Sequence, residues 1–296
     1  MKCLFIYNPE SGRGKVKKKE EYIVSTLKQK YDVVDVKMTE YSGHAKVIAE
    51  ENCSLYDTLV VAGGDGTLNE IVNALAERSD APSIGYIPTG TVNDVAHSLK
   101  IPCKIEKAVD RIISGKEFSH DVFKCNGKYG LYVCAIGTIT ESSFATKQKS
   151  KKKFGKIAYF FHGAGKIFKG KAFKITLDFD NQKIEKNCSL FLAINSKHVA
   201  GFTVNKKAEL SDGMIDVVMV DNKSEKRVGL SSLLRIAKMF LFGMKPSKST
   251  KHVTYLKLNE FNLTISPDTA INLDGERGFE GSFHLTTVKQ GIRIIR

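Results

Sequence analysis

The residues best suited to chemistry in this chain sit in glycine-bearing turns. GGDGT (63–67) carries Asp65, PTGTVND (88–94) ends on Asp94, and NLDGE (272–276) ends on Glu276. Glycine lets backbone N–H groups close on a phosphate without side-chain conflict. A carboxylate beside such a cradle repels phosphate unless a cation lies between them, and Mg2+ fills that place by bridging carboxylates and phosphate oxygens. Asp65 paired with Asp94 suits this role; the plainer alternative is that Asp94 caps the helix behind it. Glu276 stands just past a D-G turn, where a hairpin can hold a carboxylate at a cleft edge. A carboxylate free of the metal there can take the proton of an attacking hydroxyl. The plainer alternative is a hairpin whose Glu276 faces water.

A further loop, NPESGRG (8–14), also follows a strand-like run, and Arg13 and Lys15 add positive charge. In an open α/β sheet such loops gather at the carboxyl edge of the strands, where helix N-termini add partial positive charge. Neither common nucleotide motif is complete. Gly14-Lys15 approaches a Walker loop, but Pro9 and Val16 occupy the places of its first glycine and its hydroxyl. Gly64-x-Gly66 begins a dinucleotide fingerprint, but Asn69 replaces its third glycine. One such loop alone reads as a tight turn; three at successive strand ends point to a nucleotide.

The elements that must position these loops follow from hydrophobic pattern. CLFIY (3–7), VVDVKM (33–38), DTLVVAG (57–63) and SIGYIP (83–88) are expected strands. They alternate with expected helices over 15–30, 43–52, 67–77, 92–99 and 105–114. This spacing predicts a mostly parallel sheet covered by helices. Past residue 120 strands dominate, at 129–137, 172–179, 185–195, 214–220, 254–259, 261–266 and 282–288, several with the polar–apolar alternation of half-buried antiparallel strands. Helices over 154–169 and 226–242 interrupt them. The expected fold class is α/β plus all-β: an α/β domain over 1–122, then a β-rich domain over 123–289. Pattern alone assigns the closing GIRIIR strand to neither.

The chain has 296 residues and a net charge of +14, which suits anionic partners such as nucleotides, nucleic acid or an anionic membrane surface. Ten lysines and no acid lie between Ser142 and Leu177, densest at KQKSKKKFGK (147–156). Eight Lys or Arg and no acid lie between Lys226 and Asn259. Within the second stretch Leu230, Leu233, Leu234, Ala237, Phe240 and Leu241 fall on one side of a helix flanked by Arg235, Lys238 and Lys245. Such a helix lies on an anionic membrane, or packs on the β-rich domain with a solvated basic rim. No nucleic-acid partner is expected, because the basic runs lack interleaved aromatics. The six cysteines form no C-x-x-C pair and read as small buried residues of a reducing compartment. MKCLFIY is too short for a signal peptide and no stretch is expected to span a bilayer, so a cytoplasmic location with peripheral membrane contact is expected.

GGDGTLNE (63–70), with NPESG upstream and PTGTVND downstream, resembles the diacylglycerol-kinase catalytic domain. That family includes bacterial lipid kinases, sphingosine kinases and ceramide kinases, and is distantly related to NAD kinases and phosphofructokinases. LSDGMIDV (210–217) is similar to the family's L-x-D-G-x-[LI]-[DE]-[VI] segment, and NLDGE to its N-x-D-G-E. The five motifs, in order, cover the chain nearly end to end. The resemblance implies an N-terminal nucleotide-binding α/β domain, a C-terminal antiparallel β-sandwich and an active site in the cleft. It also implies that the final strand, 290–296, returns to the first domain.

Residue roles follow from the same resemblance. Asn8, Pro9, Glu10, Ser11, Gly12 and Thr39 would line ATP. Gly64, Asp65, Gly66, Thr67, Leu68, Asn69 and Glu70 would cradle its phosphates, with Thr91 nearby. Asp65 and Asp94 would handle catalytic Mg2+ and ATP, and Glu276 would be the general base. A structural or regulatory metal would sit on backbone oxygens of Glu209 and Met214 and on the Asp212 carboxylate. Asp216 is its one nearby acidic partner, and Asp121 would belong to a supporting network. Two departures stand out. Val95 replaces a larger apolar residue in the third motif, and Thr138 and Thr140-Glu141 replace the family's glycine and aspartate region beyond Gly137. The expectation is an ATP- and Mg2+-dependent kinase of a lipid alcohol, diacylglycerol giving phosphatidic acid. A soluble NAD-kinase-like enzyme and an idle lipid- or nucleotide-binding protein are the alternatives. Homodimers occur among relatives.

Overall fold

A computed structural model of the chain describes residues 1–137, 172–224, 227–244 and 249–296. The expected helix over 154–169, the lysine run at 147–156 and the departures at Thr138, Thr140 and Glu141 lie outside these residues. In the front half, β1 (Lys2–Tyr7), β2 (Val33–Met38), β3 (Thr58–Gly63) and β4 (Ser83–Pro88) form a parallel sheet in the order β2-β1-β3-β4. Every residue of β3 and β4 is buried, as befits strands covered on both faces, whereas the edge strand β2 stays largely exposed. The covering helices are α1 (Lys15–Lys18), α2 (Glu20–Leu27), α3 (His44–Asn52), α4 (Asp65–Leu75), α5 (Asp94–Leu99) and α6 (Ile105–Ser114).

The helix expected over 15–30 is broken at Lys19, where φ is −115°. Lys15 and Lys19 would stand one turn apart with like charge, and Lys19 pairs instead with Glu106 of α6. The helix expected over 67–77 begins two residues earlier, at Asp65, so the acid of GGDGT lies in its first turn.

The rear half is built of β5 (Glu117–Cys125), β6 (Lys128–Gly130), β7 (Val133–Gly137), β8 (Phe173–Phe179), β9 (Gln182–Ile194), the short hairpin β10 (His198–Val199) and β11 (Phe202–Thr203), and β12 (Ile215–Asp221). Helix α7 (Leu230–Phe242) follows, then β13 (Val253–Leu258), β14 (Glu260–Ser266), β15 (Ala270–Leu273), β16 (Glu276–Glu280) and β17 (Phe283–Ile295). The α/β front and the strand-rich rear expected from pattern are both present. Strict alternation on β14 turns Phe261, Leu263 and Ile265 onto a core that also contains Phe123, Phe191 and Phe283.

The two halves share one hydrogen-bonded sheet because β17 runs through both. It pairs antiparallel with β14 and β5, and Ile294 pairs parallel with Ile84 of β4. SFHLTTV and GIRIIR are thus one strand, bent by a bulge between Val288 and Ile292. Asp121 secures the bulge by accepting the Gln290 N–H at 2.6 Å.

Candidate active site

Three glycine loops meet at the carboxyl edge of the front sheet. Ser11 and Thr89 share a hydroxyl–hydroxyl hydrogen bond of 2.6 Å, joining the first loop to the third. Gly64 and Gly90 join the second to the third: a Cβ added at Gly90 would lie 2.8 Å from the Gly64 Cα. Asn8 folds the first loop by accepting the Glu10 N–H at 2.9 Å, and Thr39, at the end of β2, is buried beside Tyr7. Pro9, Ser11 and Gly12 are half-buried along this rim, while Glu10 and Thr91 are exposed.

The cradle on α4 is narrower than GGDGTLNE read as a unit. Its first turn leaves the N–H groups of Asp65, Gly66 and Thr67 without intrahelical acceptors, but the Leu68 N–H already binds Gly64 O at 3.1 Å. The Leu68 side chain is core. Glu70 reaches the next helix, accepting the N–H groups of Gly43 at 2.8 Å and Ala45 at 3.1 Å at the start of α3. Asn69 points to the rear half. Only the first part of the motif therefore keeps backbone N–H groups open.

The capping part suggested as the alternative for Asp94 falls to Asp65. Asp65 caps α5 from outside, accepting the N–H of Asp94 at 3.1 Å and of Val95 at 3.3 Å. Burial pushes its carboxyl above the ordinary range, with backbone donors from α5 opposing. Asp94 is not the cap; its carboxylate crosses to the rear half and accepts the Gly201 N–H at 2.8 Å.

NLDGE forms the turn between β15 and β16, and each position has a task. Asp274 and Gly275 take φ of 52° and 88°, the left-handed pair of a tight hairpin turn. Asn272 accepts the Gly275 N–H at 2.9 Å. Asp274 is buried and accepts the N–H groups of Leu131, Tyr132 and Val133 and the Asn69 amide, all within 2.9 Å. This knot ties α4, the start of β7 and the hairpin together, and Glu276 emerges from it. A Cβ added to Gly66 would meet Glu276 Oε1 at 3.0 Å, so the carboxylate faces the open first turn of α4.

Burial pushes the Asp274 carboxyl from 3.8 up to about 6, against the opposing donors. Between those values the folded chain binds the extra proton, so stability falls as pH rises through the window. The contrast is worth on the order of 3 kcal/mol. Unfolding of the wild type and of Asp274→Asn, measured across this range, is expected to show the wild type losing ground as pH rises. A level difference would mean the four donors keep the carboxylate ionised throughout.

The Asp212 carboxylate, expected on a structural metal, is engaged within the chain. The Lys257 ammonium pairs with Asp212 Oδ2 and lies 3.8 Å from Glu209 Oε2, so a side-chain cation already stands there. Asp212 Oδ1 accepts the Met214 N–H at 3.0 Å. Asp216 accepts the Asn205 amide at 2.5 Å, and Asp121 accepts the Gly213 N–H at 2.6 Å. Among the described residues no group of three or more His, Cys, Asp or Glu is set to hold a metal. Lys257 lies far along the chain from LSDGMIDV, so no local pattern announces it. Asp274 reads only as a turn residue in the sequence; its place two before Glu276 is the one available signal.

The diacylglycerol kinase catalytic-domain family model matches residues 2–125. A diacylglycerol kinase of Bacillus subtilis (strain 168) is 32% identical over 276 residues, covering 92% of this chain and 89% of the relative. One from Staphylococcus aureus (strain bovine RF122 / ET3-1) is 34% identical over 281 residues, covering 92% and 85%. A crystal structure of a diacylglycerol kinase from Bacillus anthracis str. Sterne superposes with a TM-score of 0.78 at 21% identity, covering 99% of this chain and 96% of that one, a likeness of fold. A second crystal structure from the same organism superposes with a TM-score of 0.83 at 25% identity, covering 99% of this chain and 94% of that one.

Proposed function

The chain belongs to the diacylglycerol kinase family, kinases that phosphorylate an alcohol, and from that premise we propose that it moves the γ-phosphate of ATP to the hydroxyl of a membrane lipid, diacylglycerol giving phosphatidic acid. The observation that carries this reading is the approach of Glu276 to Gly66, which brings a rear-half carboxylate beside the first turn of α4. In this reading residues 1–122 with 290–296 hold the nucleotide and 123–289 the acceptor. The first-turn N–H groups of α4 receive phosphate oxygens, and Ser11, Gly12 and Thr39 flank the nucleotide.

Glu276 takes the proton of the acceptor hydroxyl as its oxygen bonds to the γ-phosphorus. The bond from that phosphorus to the β–γ bridging oxygen breaks, and ADP leaves. Asp65 and Asp94 are the carboxylates that would meet Mg2+ carried by the nucleotide. Their oxygen donors suit a hard cation, and a positive charge there would offset the burial that raises Asp65. When bound, the ion neutralises phosphate charge. The enzyme works as a peripheral protein at the cytoplasmic face of an anionic membrane, a reading supported by the +14 charge. No helix among the described residues is long and apolar enough to cross a membrane.

Labelled ATP offered with diacylglycerol in mixed micelles, with other lipid alcohols and with NAD+ tests this. Label is expected in phosphatidic acid. Label on NAD+ alone, or ADP release with no acceptor labelled, would sink the lipid-kinase reading.

A further inference from the structure

Helix α7 is apolar on more of its surface than the protein covers. Leu233, Ile236, Met239 and Phe240 are buried against the rear half. Leu230, Leu234, Leu241 and Phe242 are 61%, 63%, 45% and 73% exposed. The sequence grouped Leu233 and Phe240 with Leu230, Leu234 and Leu241 on one side; the structure separates them. At 3.6 residues per turn Leu230, Leu234 and Leu241 line up along the axis, with Phe242 beside them. Among the described residues no other helix carries more than one exposed large hydrophobic side chain. A line of this kind marks an interaction surface.

We propose that the outer face of α7 docks on an anionic lipid bilayer, with Leu230, Leu234, Leu241 and Phe242 entering the headgroup region and Arg235 and Lys238 meeting the lipid charge. Charge selects this occupant. On α7 stand Arg235 and Lys238, and no Asp or Glu. A second copy on the same face would set these like charges against each other, whereas an anionic surface complements them. The identity of the surface as the source of the acceptor rests on the lipid-kinase reading; the docking itself does not.

The inner face of α7 ties this surface to the cleft. Phe240 packs edge-on against Phe202 of the β10–β11 hairpin, with ring centres 5.9 Å apart. The Met244 N–H binds Val204 O at 2.7 Å, just past the hairpin. At the hairpin turn Gly201 donates its N–H to Asp94 at 2.8 Å. One hairpin thus spans from the docking helix to the acid at the start of α5. A docked α7 fixes how far the glycine loops stand from the bilayer.

The test uses the full chain and Leu234→Glu/Phe242→Glu, whose positions are exposed, with thermal unfolding as the check on folding. Binding is read by co-sedimentation with phosphatidylcholine vesicles with and without phosphatidylserine, and no diacylglycerol. Wild type is expected to bind the phosphatidylserine vesicles, and the folded variant to bind at least about tenfold less. Turnover on a short-chain, water-soluble diacylglycerol is expected to survive in the variant while turnover on vesicle-borne diacylglycerol falls. Equal vesicle binding by the two proteins overturns the docking. A wild-type dimer that becomes a monomer in the variant, seen by analytical ultracentrifugation, also overturns it and assigns the face to a second copy. Wild-type vesicle binding lost in the variant, with no lipid phosphorylated by either, leaves the docking standing and removes the kinase reading.

Discussion

Glu276→Gln is expected to lower turnover by about 10²–10⁴-fold, the usual share of a well-placed general base, or roughly 3–5 kcal/mol of barrier. Nucleotide affinity should stay within about twofold, because the side chain keeps its size and, in the proposed reading, meets only the transferring end of the nucleotide. Glutamine cannot take the acceptor proton. The substitution leaves the positioning network intact, since the turn is held by Asp274 and Asn272 rather than by Glu276. The measurement is kcat with saturating lipid, beside calorimetric titration of the nucleotide. A parallel loss of nucleotide affinity would move Glu276 from proton transfer to nucleotide binding.

Gly90→Ala should act on the opposite parameter. The new Cβ would stand 2.8 Å from the Gly64 Cα and 2.7 Å from Asn93 Oδ1. The first is backbone and cannot swing aside, so the third loop must retreat from the start of α4. Forcing a methyl group into such a space costs about 1–3 kcal/mol. Because the displaced loop borders the open N–H groups of Gly66 and Thr67, nucleotide affinity should fall by about 5–150-fold. Titration with nucleotide reads this directly, and unfolding curves separate it from a general loss of stability. Unchanged affinity would mean that the Gly64–Gly90 contact does not shape the phosphate site.

The loops were open to reading because glycine, proline and aspartate act locally: a strand followed by a glycine turn and an acid announces itself within ten residues. Their joining was not. Asn69 and Asp274 are 205 positions apart, and nothing near either one names the other. Asp65 and Glu70 look alike as acids in one motif, yet each caps a different neighbouring helix, which depends on how the helices pack. Lys257 falls beside Asp212 because β13 pairs with β12, placing Lys257 opposite Asp216. In α7 periodicity reports how much of the helix is apolar, but not which part the protein covers. Leu233 and Leu234 are adjacent leucines, the first buried and the second exposed.

The strand that threads both halves also sets an order of assembly. Ile84 waits for Ile294, so the outer side of β4 has no strand beside it until nearly all the intervening chain has been made. Closing so long a loop is slow, and a bare strand edge invites pairing with other molecules in the interval. A nascent chain halted before β17 would carry that open edge, and so would the front half cut away at residue 122. The front half thus lacks a partner strand for the outer side of β4 when it stands alone.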